Sequence, residues 1–312
     1  MKIVFFGTSQ FAVPIIEGIL NTENDLCAIV CQPDQINQRN NKIEYSPVKK
    51  FALKNNISLF QFRRLNKEGE QILKDLDPDI IITASYGQII RKNILEIPKY
   101  GIYNVHGSLL PKYRGPAPIQ WSIIKGETQT GITIMKTEEG IDCGEIYIQT
   151  VCRINENDTS SSMFDKLSTL GKDVIINFLN NFEYYIKNGK KQNDAESTYF
   201  PMIKKEDAQI KFDNNSKDIV NMIRGYDLLG AFFFYKNVRY KVLSAKVCDK
   251  AIEIVPSGSI LCAKSKMGLY IASKDGAVEI LKIQPENKKI MDIKDFLNGT
   301  KFEVGERIEY IS

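Results

Sequence analysis

The sequence predicts an α/β fold: a doubly wound, mostly parallel sheet followed by a small OB-like β-barrel. Three observations carry that expectation. Between Lys2 and Leu179, short apolar runs alternate with segments of helical period, as in parallel strands joined by helices. From Asn188 to Ser197 the composition turns polar, as in a linker. Beyond Ala231 the apolar runs become short, closely spaced and separated by turn residues, which suits a small barrel. The expected boundaries are an α/β domain over 1–187, a linker over 188–206 and the barrel over 207–312.

Lys2–Phe6 is a buried-type strand closed by Gly7. Ser9 can cap the helix that follows, with Phe11, Val13, Ile15, Ile16 and Leu20 as its apolar positions. Pro14 fits the first turn, where a missing N–H costs nothing. Leu26–Val30 is the second strand, and a helix near Val48–Lys54 leads to Ser58–Gln61. Gln32–Ser46 reads as a long polar loop carrying Arg39 and Lys42 among asparagines, a length associated with function. Asp79–Ala84 and Gly101–Val105 are further strands, and Pro118–Lys125 a short helix.

Gly131–Lys136 and Glu145–Val151 are strands joined by a turn in which two glycines bracket Asp142 and Cys143. Asp158–Ser161 offers caps for a long amphipathic helix from Met163 to Leu179. Ser216–Arg224 is a helix; Ala231–Tyr235, Arg239–Leu243, Gly258–Ala263, Gly268–Ala272 and Ala277–Ile283 are strands; Asp292–Leu297 is a last helix.

The charge is mildly basic, 42 Lys and Arg against 38 Asp and Glu. Residues 1–199 balance at 23 and 23, so the excess, 19 − 15 = +4, falls in the last third. That is compatible with a polyanionic partner there. The six cysteines form no CxxC pair, and with one histidine no zinc spacing exists. Cys27 and Cys31 read as buried thiols. The N-terminus opens on a strand rather than a signal peptide, and no apolar run spans a bilayer. The expectation is a cytoplasmic protein with no membrane contact, no metal and no obligate protein partner.

His106 is the sole imidazole, so chemistry by that group near neutral pH must happen there. Asn104, two residues earlier on a strand, shares its face. Both stand at the carboxyl end of a strand, where open α/β sheets place their sites. A nucleotide site at Gly7 is disfavoured, because Gly7-Thr8-Ser9-Gln10-Phe11-Ala12 lacks the later glycines of GxGxxG. Ser108 has no GxSxG elbow, and nothing beside Cys143 lowers a thiol pKa. A covalent nucleophile is therefore a weaker reading than attack by an external amine on an acyl carbon. Asn104 and protonated His106 would stabilise the oxyanion. Asp142 would hold His106, raise its pKa and help remove the amine proton.

Asn104-Val105-His106-Gly107-Ser108-Leu109-Leu110-Pro111, with Arg114-Gly115-Pro116-Ala117-Pro118, resembles the formyltransferases that use 10-formyltetrahydrofolate. Gly131–Met135 followed by Gly140-Ile141-Asp142-Cys143-Gly144 resembles that family's second motif. The resemblance implies a Rossmann-like catalytic domain with Asn104, His106 and Asp142 as catalytic residues. It also implies a folate pocket of Ser108, Leu109, Leu110, Pro111, Tyr86 and Gly87. Gln32-Pro33-Asp34, Ser46-Pro47-Val48-Lys49 and the stretch Gln284–Met291 are similar to the branch that formylates methionyl-tRNA.

That likeness implies formyl transfer from 10-formyltetrahydrofolate to initiator methionyl-tRNA, with Arg39 and Lys42 reaching tRNA and a tRNA-binding barrel. Two features depart from the family pattern. The family loop is richer in glycine and basic residues, and Cys143 stands where Thr is commoner. An N-formyltransferase for amino-sugar nucleotides is the alternative within the class. A non-catalytic folate- or RNA-binding module is the alternative outside it.

Overall fold

Strand β1 (Lys2–Gly7) is buried from Ile3 onward because it runs through the middle of a seven-stranded sheet. Its continuous apolar run is the signature of a strand covered on both faces. Helix α1 (Ala12–Leu20) follows, then β2 (Asp25–Cys31), a hairpin of β3 (Gln35–Asn37) and β4 (Lys42–Glu44), α2 (Pro47–Lys54) and β5 (Leu59–Gln61). Next come α3 (Lys67–Leu76), β6 (Ile80–Ala84), α4 (Lys92–Leu95), β7 (Ile102–His106) and α5 (Pro118–Ile124). Strands β8 (Gln129–Lys136) and β9 (Ile146–Arg153) precede the long α6 (Ser160–Asn180) and α7 (Phe182–Lys187).

The strand order is β5-β2-β1-β6-β7-β8-β9. The first five strands are parallel, and β8 and β9 add antiparallel edges. From β1 the chain winds outward through β2 to β5, then returns to β6 on the other side. That reversal is a topological switch point, and its carboxyl ends carry Thr8, Tyr86 and the loop after His106.

The computed structural model describes residues 1–37, 41–248, 255–308 and 310. The chain divides into two units: Met1–Pro118 with Gln129–Arg153 and Phe164–Pro201, and Ile119–Thr128 with Ile154–Met163 and Met202–Ser312.

Within the first unit, Phe6, Val30, Leu73, Ile81, Tyr86 and Ile102 belong to one buried apolar cluster. A side chain at Gly18 would meet the backbone carbonyl of Lys172 at 2.9 Å, so α1 and α6 approach closely only because it is glycine.

The second unit contains α8 (Ser216–Gly225), β10 (Ala231–Tyr235), β11 (Val238–Val247), β12 (Ile260–Lys264), β13 (Gly268–Ala272), β14 (Ala277–Pro285), β15 (Met291–Asp292) and α9 (Ile293–Phe296). The strands form an antiparallel sheet, β10-β11-β14-β13-β12, with β15 added beside β14. Its core joins Phe212, Ile219, Ile223, Phe233, Tyr240, Ile280 and Phe302. The Asn215 side chain does not cap α8. Instead the Asp275 carboxylate accepts from the Ser216 backbone N–H at 2.7 Å, and that bond holds its carboxyl below the usual range.

Helix α8 also holds the Ile154–Met163 stretch of its unit. The Arg224 guanidinium donates to the carbonyls of Asn155, Glu156 and Asp158, and the Ser160 hydroxyl donates to that of Gly225.

The structure adds the short elements α4, α7 and β15 to the sequence reading, and two further elements differ from it. Gln32–Ser46, expected as a loop, contains the β3–β4 hairpin, with Ile36 opposite Ile43 in its register. Its three-residue strands are too short for a period to be recognised. Helix α3, between Gln61 and Asp79, is absent from the sequence reading although its signals are conventional. The Asn66 side chain accepts from the Gly69 N–H, and Asp77 closes the helix in the left-handed region just before Pro78.

Candidate active site

Strand β7 ends on the two residues singled out by sequence. Paired beside β6, it sets Asn104 opposite Thr83, and the Thr83 hydroxyl donates to Asn104 Oδ1 at 2.9 Å. With the amide oxygen tied there, the Asn104 NH2 group is the donor left for a ligand.

His106 is 6% exposed. Its Nε2 lies 3.1 Å from the Tyr113 carbonyl oxygen. A carbonyl can only accept, so Nε2 carries a proton and Nδ1 is the nitrogen that gains or loses one. Nδ1 stands 3.8 Å from Asp142 Oδ2, too far for a direct hydrogen bond but close for charges.

Asp142 reaches that position from the turn between β8 and β9 with a left-handed backbone, φ +50°. Its Oδ2 accepts from the Gly115 N–H at 2.8 Å. Gly115 sits at φ +111°, where a side chain would come within 2.3 Å of the Phe200 carbonyl. Gly144, after Asp142, would press a Cβ within 1.9 Å of the Lys136 carbonyl. Both glycines are demanded by close backbone approach.

The loop from Ser108 to Pro111 is fixed by its own hydrogen bonds. Ser108 is fully buried, and its hydroxyl donates to the Lys112 carbonyl at 2.8 Å. The Leu110 N–H donates to the Thr133 hydroxyl, which donates to the Ser108 carbonyl. The Leu110 carbonyl accepts from Gln149 Nε2 at 2.7 Å, and Pro111 follows a cis peptide bond. Leu109 and Pro111 are half-buried.

Tyr86 places its ring in the core against Phe6, and its hydroxyl has no hydrogen-bond partner among the described residues. Burial pushes that phenol well above its ordinary pKa. The Tyr86 carbonyl accepts from the Thr8 hydroxyl and from Gln32 Nε2. Gly87 follows, exposed and at φ +81°.

Lys42 lies exposed on β4, while Arg39 lies outside the described residues. The base of the hairpin is pinned by Lys49, which donates to Asp34 at 2.6 Å and to Gln61 at 2.9 Å. That contact holds the Asp34 carboxyl below its usual range. Ile36 and Ile43 leave 63% and 65% of their surface exposed.

Three contributors fall outside the sequence-based expectation. Thr83 was legible as the polar residue near the end of Ile80-Ile81-Ile82-Thr83-Ala84. The Tyr113 carbonyl had no signal, since a backbone acceptor leaves no trace in residue type. Gln192, which donates to the Asp142 and Gly144 carbonyls, falls in the stretch that reads as a linker. Among the described residues, no group of three or more His, Cys, Asp or Glu side chains could hold a metal ion, and no helix is long and apolar enough to cross a membrane.

The chain is similar to known proteins along most of its length. Residues 1–179 match the formyl transferase family and residues 202–301 its C-terminal domain. A methionyl-tRNA formyltransferase of Clostridium tetani is 39% identical over 308 residues, covering 98% of each chain. A solved N-formyltransferase from Helicobacter canadensis, in complex with folinic acid and dTDP-3-aminofucose, shares the fold. It has a TM-score of 0.64 and 22% identity, over 90% of this chain and 98% of that one. A methionyl-tRNA formyltransferase structure from Clostridium thermocellum aligns with a TM-score of 0.52 and 22% identity, over 80% and 95%.

Proposed function

The chain belongs to the methionyl-tRNA formyltransferase family, and we propose that it moves the formyl group of 10-formyltetrahydrofolate onto the α-amine of methionine carried by initiator tRNA. The observation that carries the acceptor is similarity along the whole length, C-terminal domain included. What supports the chemistry is the grouping of an amide donor, an imidazole and a carboxylate at the end of β7.

In this reading the methionine nitrogen attacks the formyl carbon and the carbonyl electrons move onto oxygen. The Asn104 NH2 group and the His106 imidazolium donate to that oxyanion. Asp142, close to His106 Nδ1, stabilises the imidazolium and accepts the proton the amine loses, directly or through water. When the carbonyl reforms, the tetrahydrofolate nitrogen departs with the proton that Asp142 took from the amine, returned directly or through water, leaving formyl-methionyl-tRNA. The Ser108–Pro111 loop and the Tyr86-Gly87 backbone frame the donor. The exposed backbone at Gly87, with no Cβ in the way, fits a flat ring system approaching the switch point. Lys42 on the hairpin and Arg39, close to it in sequence, meet tRNA phosphates, and the basic C-terminal domain also binds the tRNA. In this reading the reaction belongs to the cytoplasm and needs no obligate protein partner.

The test is formyl transfer from 10-formyltetrahydrofolate to charged initiator tRNA and, in parallel, to an amino-sugar nucleotide. Turnover with the tRNA alone is expected. Turnover with the sugar nucleotide alone would overturn the acceptor.

A further inference from the structure

We propose that Gln192 is a positioning residue, holding the Asp142 turn against the Arg114 loop through all the polar atoms of its side chain. Its Oε1 accepts from Arg114 Nε at 3.1 Å and Arg114 Nη2 at 2.8 Å. Its Nε2 donates to the Asp142 carbonyl at 2.9 Å and the Gly144 carbonyl at 2.8 Å. The amide can point only one way, because the guanidinium only donates and the two carbonyls only accept.

What Gln192 holds is a turn that its own residues do not favour. Asp142 occupies the left-handed region, which a residue with a Cβ adopts at a cost that its surroundings must offset. The Gly115 N–H fixes its carboxylate, and Gln192 fixes its backbone from the other side. Gly115 follows Arg114 directly, so Gln192 ties together both sides of the contact that aims the carboxylate at His106.

Gln192 is itself anchored at both ends of its segment. Lys190 exchanges two backbone hydrogen bonds with Ile146, at 2.8 and 2.9 Å. The Thr198 carbonyl accepts from the Arg114 N–H at 2.8 Å, and the Phe200 N–H donates back to Arg114 at 3.0 Å. The Thr198 hydroxyl accepts from the Tyr113 N–H, in the residue whose carbonyl holds His106. The stretch after α7 is therefore a strap across the catalytic loops, and Gln192 is its contact with the turn that carries the carboxylate.

The inference rests on the catalytic reading of Asp142 and is tested with Gln192→Met, which keeps length, and Gln192→Glu, which keeps the acceptor for Arg114 but loses both donors. In the full chain, kcat for formylation of charged tRNA should fall tenfold or more in both, with KM for 10-formyltetrahydrofolate within threefold. In an Asp142→Ala background, Gln192→Met should change the residual rate less than twofold, because its effect runs through that carboxylate.

A normal kcat in either single variant, or the same tenfold loss without Asp142, would overturn it. Failure of both variants to fold would overturn it as well, since the residue would then brace the domain rather than aim the carboxylate. Full turnover in Asp142→Ala alone would instead remove the catalytic reading, so the two failures are distinguishable.

Discussion

Thr83 donates its hydroxyl to Asn104 Oδ1 across the β6–β7 ladder, at 2.9 Å. A side-chain amide without that partner can flip its oxygen and nitrogen, presenting an acceptor where the oxyanion needs a donor. Thr83→Val keeps the shape and removes the hydroxyl. It is expected to lower kcat about tenfold, roughly the effect of one misoriented neutral hydrogen bond, with little change in donor KM. On the proposed mechanism, alanine at Asn104, His106 or Asp142 removes a group that acts on the reacting atoms and should cost about 2–4 kcal/mol of transition-state stabilisation each. Near-normal single-turnover rates in His106→Ala would refute the assignment.

Much of this arrangement was legible in the sequence, and the reasons differ by element. The parallel core strands show in runs such as Ile80–Ile82, because burial on both faces leaves nothing polar to confuse the period. His106 stands out by being the only histidine. The strap from Asn188 to Pro201 was not legible, because its composition is that of a linker and its order comes from backbone bonds to Ile146 and Arg114. Gln192 carries the same difficulty at one residue: in sequence it is one glutamine among lysines and asparagines.

Cys143 stands directly after the candidate carboxylate, half-buried, with its thiol near the Glu139 carbonyl. The proposed transfer through Asn104, His106 and Asp142 uses no thiol, yet a bulky adduct at Cys143 would displace a turn that Gly140 and Gly144 already keep tight. Alkylation should abolish activity in the native chain. Cys143→Ala should stay within threefold of normal kcat and resist the reagent. A dead but folded Cys143→Ala would point to a nucleophilic sulfur.

The hairpin presents a charged residue beside an exposed apolar pair, Ile36 opposite Ile43. Lys42→Ala and Arg39→Ala, combined, should weaken charged-tRNA binding and flatten its salt dependence by up to about two in the slope of log affinity against log salt. Folate affinity should not change, since Lys49, Asp34 and Gln61 hold the hairpin base independently. An unaltered salt slope in the double variant would place both residues on an ordinary solvated surface.

The boundary between the two units makes a last prediction, about where the chain can be cut. A cut after Pro201 removes most of the second unit but leaves behind 119–128 and 154–163, which group with it. Ile124 would lose the close approach of Gly225, where a Cβ would lie 2.3 Å away. The carbonyls of Asn155, Glu156 and Asp158 would lose the Arg224 guanidinium, and Ser160 its acceptor at Gly225. Water can replace the donor at the exposed Asn155 and Glu156 carbonyls, so the cost falls on the part-buried Asp158 carbonyl, at about 1–3 kcal/mol. Residues 1–201 alone should therefore melt several degrees below the full chain and bind an apolar-surface dye, despite holding Asn104, His106 and Asp142. Thermal melting and dye binding of the two chains decide the matter. Equal melting temperatures with no dye binding would show that the inserted stretches need nothing from the C-terminal sheet.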